Sequence, residues 1–137
     1  TQAAGARDAF ESEHLRRVLV NLLDNAWRYA SARPSAVEVT THLSRGQALL
    51  RVWSDGAPLD PGVQRHLFEP FFSSESRSSG LGLYICRELC NRHGAQISYA
   101  RAPAPDASGR EGNAFSVTFR TRTTVVPGGA PFATIRA

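Results

Sequence analysis

The chain has 137 residues, 42% apolar and 20% charged, with a formal charge of +4. That length suits one domain with a real core and not two, and the balance is that of a globular chain rather than a disordered one. No apolar run approaches the roughly 18–20 residues that cross a bilayer, and no charged start with an apolar stretch marks a signal peptide, so a soluble chain is expected. All 16 basic residues are arginine, scattered from Arg7 to Arg136 without a dense run or interleaved aromatics. That pattern argues against a nucleic-acid face. Cys86 and Cys90 are the only cysteines. At i, i+4 they share a helix face, a spacing suited to burial and poor for a disulfide. No second Cys/His pair completes a zinc set, and the usage fits a reducing cytoplasm.

Residues 1–10 are small and polar and read as a flexible start. From Ser12, Leu15, Val18, Leu19, Leu22 and Ala26 recur at helical spacing, which predicts a helix to about Ala30, stopping before Pro34. Two strand-like runs follow, Val37 to Leu43 and Gln47 to Trp53, joined by Ser44-Arg45-Gly46. The stretch from Asp55 to Gly62 holds two Gly and two Pro and is a loop. A short helix from Val63 to Phe68 leads through Pro70 into a Ser-rich loop, Ser73 to Ser79. Gly80 opens a second long helix that Gly94 caps. Strands over Gln96 to Ala100 and Ala114 to Thr121 complete a domain spanning 11–122, and 123–137 reads as a loose, Pro/Gly-rich tail. Helix, hairpin, helix and strands predict an α+β two-layer sandwich, a mixed sheet with helices on one face.

Three groups of residues could carry chemistry. Asn21, Asn25 and Arg28 form a stripe on the first helix, with Tyr29 beside them. At about 100° per residue this stripe lies roughly 110° from the centre of the apolar one, at the rim of the buried face. Amide oxygens are good hard ligands for Mg²⁺, although two Asn on a helix edge also suit a plain polar surface. The second group is the loop Ser54-Asp55-Gly56-Ala57-Pro58-Leu59, where a ligand could meet backbone directly after a strand. In the third, Ser78-Ser79-Gly80-Leu81-Gly82-Leu83 runs into a helix whose unpaired N–H groups suit a phosphate.

The order and spacing of these groups resemble those of a known family. "HLRRVLVNLLDNAWRYA" is similar to the N box of sensor histidine kinases, "SDGAPLD" occupies the G1 position, "LFEPFF" looks like the F box and "SGLGLYICREL" like the G2 box. These boxes belong to the GHKL (HATPase) superfamily, and the resemblance covers about Glu11 to Arg120. The run "FEPFFSSESRSSGLGLYICRELCNRHGAQISY", with "NAFSVTFR", is most like the nitrogen-sensor group and its type IV pilus sensor kinases. The resemblance implies a Bergerat-type fold binding ATP and Mg²⁺. Asn21 and Asn25 would hold metal and phosphate, Arg28 would stand near the phosphates, and Tyr29 would pack beside the nucleotide. Phe68 and Phe72 would anchor the lid, with core packing an equal reading. Ser79, Gly80, Leu81, Gly82 and Leu83 would line the triphosphate end, and Ser54, Asp55, Gly56 and Leu59 the base end.

Two departures stand out. An ungapped register puts Ser54, not Asp55, where the family carries its adenine-reading Asp, with Gly56 at the first Gly and Pro58 at the second. Strand alternation agrees, since Ala48, Leu50, Val52 and Ser54 share a face and Asp55 points away. Ser78 also replaces the first Gly of the G2 box. The expected activity is donation of the ATP γ-phosphate to a histidine on a separate dimerisation domain, for a cognate response regulator. Type IV pilus regulation is implied by the branch of the resemblance alone. His14 lies near the N box but lacks a phosphoacceptor context. The resemblance further implies a monomeric fragment of a homodimeric bacterial sensor, cytoplasmic here and anchored at the inner membrane through segments this chain lacks. The rival readings are a non-catalytic interaction module and a GHKL ATPase or protein-serine kinase.

Overall fold

The computed structural model describes residues 12–72 and 81–120, together with the backbone of 132–136. Helix α1, Ser12–Tyr29, buries Val18, Leu22 and Ala26 on one stripe. Each large apolar side chain so covered is worth about 1.5–3 kcal/mol relative to exposure. Glu13 in the first turn and Arg28 in the last complement the helix dipole.

Strands β1, Val37–Ser44, and β2, Gln47–Ser54, form a hairpin paired from Val37↔Ser54 to Ser44↔Gln47. Its two-residue connection places Arg45 at φ 50° and Gly46 at φ 77°. Both are positive, as the twist-matched hairpin turn requires. Helix α2, Pro61–Arg65, starts earlier and stops sooner than the apolar pattern suggests. Asp60 accepts a hydrogen bond from the Gly62 N–H at 3.3 Å, and Pro61 stands at the helix start, where its missing N–H costs nothing.

Helix α3, Gly82–Arg92, closes as expected at Gly94, φ +68°. The Ala95 N–H donates to the Cys90 carbonyl at 2.8 Å and the Gly94 N–H to that of Asn91 at 3.2 Å. This pair of bonds satisfies carbonyls that the helix end would otherwise leave open. Strands β3, Gln96–Pro103, and β4, Glu111–Arg120, follow. Strand β5, Phe132–Arg136, pairs with β1, so the segment expected as a loose tail carries a strand.

The two-layer α+β architecture is as predicted, but the sheet is not mixed. Its order is β3-β4-β2-β1-β5, and every pairing is antiparallel. The helical crossover does deliver β3 parallel to β2. Strand β4 then inserts between the two, and each contact becomes antiparallel.

One face of the sheet packs on α1 and α3. Leu50, Val52, Phe115 and Val117 meet Val18, Leu22, Cys86 and Cys90 in a single core. On the opposite face Trp53 is fully buried with Ala104 and Ala114, and its indole N–H donates to the Ala102 carbonyl at 2.9 Å. Gly112 makes that packing possible, since a Cβ there would lie 2.1 Å from the Ser54 carbonyl oxygen and 2.5 Å from the indole. No described helix is long and apolar enough to cross a membrane.

Candidate functional site

Helices α1 and α3 pack together and run in opposite directions. The Cys86 thiol donates to the Val18 carbonyl, and further along His14 Nδ1 lies 2.8 Å from His93 Nε2. This antiparallel packing carries the later part of α1 past the start of α3. Asn21 Nδ2 donates to the Gly82 carbonyl at 3.5 Å, joining two of the predicted site groups.

Asn21 and Asn25 are half-buried beside the buried Leu22 and Ala26, the rim position their spacing predicts. The side chains of Asn25 and the exposed Arg28 have no hydrogen-bond or ion-pair partner among the described residues. Among the described residues no side chain caps the start of α3, and none lies within 4 Å of where a Gly82 Cβ would be. Leu83 packs on the core, and Leu81 is half-buried just before the helix. Ser79 and Gly80, with Ser78, lie outside the described residues.

At the other end of the site, Ser54 closes β2 on the helix-facing side and is 5% exposed. Its neighbour Asp55 turns away, as the alternation predicts. The Asp55 carboxylate accepts from the Ser31 N–H at 2.9 Å and the Ser31 hydroxyl at 2.6 Å, just beyond α1. Burial pushes its pKa up, but the Ser31 bonds and the charges of Arg110 and Arg33 outweigh that and hold it below the ordinary carboxylate value. Gly56 is buried where a Cβ would stand 3.1 Å from the Tyr29 carbonyl oxygen, so the loop and the end of α1 touch backbone to backbone. Leu59 and Phe68 pack against the core, Phe68 meeting Phe115 edge-on at 6.2 Å. Phe72 lies 5.5 Å from the His66 ring, while Phe71 is 77% exposed at φ 63°.

Four residues around the loop escape sequence reasoning. Asn113, opposite Ser54 across the β2–β4 pairing, donates from Nδ2 to the Ala57 carbonyl at 2.9 Å. Its Oδ1 accepts from the Tyr99 hydroxyl and from Arg101 Nη1, and the same Nη1 donates to the Gly56 carbonyl at 2.7 Å. On the far face Arg110 stacks over Trp53 and lies 3.3 Å from Asp106, 3.6 Å from Glu38 and 3.9 Å from Asp55. Glu38 is 1% exposed and its carboxylate makes no hydrogen bond among the described residues, so this ion pair is what offsets its burial. In the sequence Asn113 opens the run "NAFSVTFR", which marks a strand without saying what it holds, and Tyr99, Arg101 and Arg110 lie outside that run.

These features define an α+β sandwich whose open rim sets an Asn-bearing helix beside an uncapped helix start, a setting suited to an anionic ligand. The chain belongs to the histidine kinase-, DNA gyrase B-, and HSP90-like ATPase family, whose model matches residues 10–123. It is 33% identical over 121 residues to the sensor protein kinase PilS of Pseudomonas aeruginosa, covering 85% of this chain and 22% of that one. Over 91 residues it is 36% identical to the sensor protein KdpD of Escherichia coli, covering 64% of this chain and 10% of that one. Among solved structures, a mycobacterial sensor histidine kinase, MprB, superposes with a TM-score of 0.69 at 28% identity, covering 82% of this chain and 76% of that one. The chain thus spans about a fifth or less of the length of these two curated relatives.

Proposed function

We propose that this chain is the ATP-binding catalytic domain of a two-component sensor histidine kinase, presenting the γ-phosphate to a histidine on a separate dimerisation domain. The observation that carries the reading is the approach of Asn21 to Gly82, which sets the α1 rim beside the start of α3. Phosphoryl transfer of this kind asks the protein mainly to position the phosphate and neutralise its charge. Arg28 supplies a cation on the rim, and backbone N–H groups at the start of α3 supply donors. The attacking imidazole comes from outside the chain, so no general base is needed here. His14 is paired with His93 and sits among no other phosphoacceptor features.

The rim also fits a divalent cation. Asn21 and Asn25 offer neutral amide oxygens, and Asn25 is half-buried with no protein partner among the described residues. These two would hold Mg²⁺, which neutralises phosphate charge when bound. By the same reading the full protein is a homodimer anchored at the membrane through other segments, and it passes phosphate to a cognate response regulator. Its resemblance to PilS favours a role in type IV pilus regulation.

Calorimetry and labelling test this reading. The chain should bind Mg-ATP, and with labelled ATP it should not phosphorylate itself. Acid-labile labelling of the chain alone would overturn the external acceptor. Asn25→Ala should cost about 1–3 kcal/mol with Mg-ATP and less with metal-free ATP. Equal losses would make Asn25 a packing residue. A second reading, a non-catalytic interaction module, is favoured by the neutral, buried Ser54. Absence of any ATP or ADP binding would select it.

A further inference from the structure

We infer that Asn113, together with Arg101, is the positioning pair of the base end of the site, holding the loop after β2 in place through its main chain. The inference rests on the ATP-binding reading above and goes beyond it in naming what sets the loop.

The loop is tied at its two ends, by Ser31 on the Asp55 carboxylate and by Gln64 on the Leu59 carbonyl, and its middle has little else to hold it. Asp55 makes one backbone bond, from its N–H to the Ala36 carbonyl at 3.0 Å, and then Gly56, Ala57 and Pro58 run free of the sheet. The next two carbonyls are taken by side chains from the other end of the domain. Arg101 Nη1 donates to that of Gly56 at 2.7 Å and Asn113 Nδ2 to that of Ala57 at 2.9 Å. Arg101 and Asn113 are themselves cross-strand partners and are bonded to each other at 3.1 Å. Tyr99 adds a third contact, its hydroxyl donating to the Asn113 oxygen.

Asn113 is 5% exposed, and its amide is used from both ends. The oxygen accepts two bonds and the nitrogen hooks the loop, a combination that an ionised carboxylate, which has no donor, cannot reproduce. The same amide lies 3.3 Å from where a Gly56 Cβ would be, so loop and side chain are in contact at both residues.

Ser54 gives this clamp its consequence. Val37, Ser54, Asn113 and Arg101 are successive register partners across β1, β2, β4 and β3 and therefore share one face of the sheet. With a short, neutral hydroxyl at the strand end in place of a carboxylate, base recognition leans on the loop backbone, and the clamp sets where that backbone stands. Moving the loop should therefore cost the base contact and spare the phosphate end, which α1 and α3 build separately.

The test compares wild type with Asn113→Asp and Arg101→Ala, each titrated with Mg-ATP and with Mg-tripolyphosphate, which has no base. Asn113→Asp keeps the shape and the acceptor oxygen and faces the Ala57 carbonyl with a second acceptor. Arg101 is exposed, so its truncation leaves the core intact. Both variants should lose ATP affinity by about tenfold or more while tripolyphosphate binding stays within about twofold, a split that general destabilisation would not produce. The inference is overturned if folded Arg101→Ala binds ATP as wild type does, or if both probes weaken together. Wild type failing to bind ATP at all would overturn the parent reading and this one with it. Wild-type binding with unchanged variants sinks only the clamp.

Discussion

Ser54 and Asp55 are adjacent and do different things. Ser54 lies in the row of Leu50 and Val52 on the helix-facing side, whereas the Asp55 carboxylate ties the loop to Ser31. A carboxylate at the Ser54 position would offer a charge-assisted bond to an adenine amino group, about twice as strong as a neutral one. Ser54→Asp should therefore tighten ATP binding by about 1–2 kcal/mol and leave GTP little changed, as paired titrations would show. Loss of ATP binding in Asp55→Ala, with no effect of Ser54→Asp, would make Asp55 the base reader instead. Asp55 also has an acid signature. Its folded-state pKa is depressed, so its contribution to stability is complete above its unfolded value and fades as the pH falls through the folded one. Denaturant midpoints should be flat near neutrality and decline below about pH 4, and Asp55→Asn should flatten that decline. An unchanged acid limb in the variant would show that Asp55 does not contribute to it.

At the level of elements, local chemistry was easy to read. Helix α1 announces itself by its four-residue period, and the β1–β2 hairpin by an Arg-Gly pair that tolerates positive φ. The apolar pattern puts helix α2 too late because it overlooks the Asp-Pro start. Contacts across space were not legible. Nothing in the sequence shows that Gly112 is small because Trp53 lies against it, or that Asn113 reaches Ala57. The i, i+4 cysteines were legible, and both are fully buried where α3 meets α1. Burial, aided by the neighbouring thiol, pushes Cys86 up to about 12, and burial pushes Cys90 up to about 11. Both should resist a thiol reagent at pH 8 until the helix pair opens. Labelling that tracks the denaturant-unfolded fraction would bear this out, and rapid labelling of the native chain would contradict it.

Across the whole molecule, the sheet order also dictates how the fold comes together. Strand β4 is the bridge of the sheet, yet it is made after both helices of the core and after β3. The β1–β2 hairpin can close quickly from neighbouring residues, but β2 must wait for a partner separated from it by α2, α3 and β3. Such distant pairing carries a large loop-closure entropy and slows folding. Until it happens, the β2 edge is a bare template for the wrong strand. The residues that brace the loop, Asn113 on β4 and Arg101 on β3, arrive with that step. A nascent chain that has emerged only as far as β3 thus carries both helices and much of the core, while its loop after β2 is tied at Asp55 and Leu59 but still lacks the Asn113 hook on the Ala57 carbonyl.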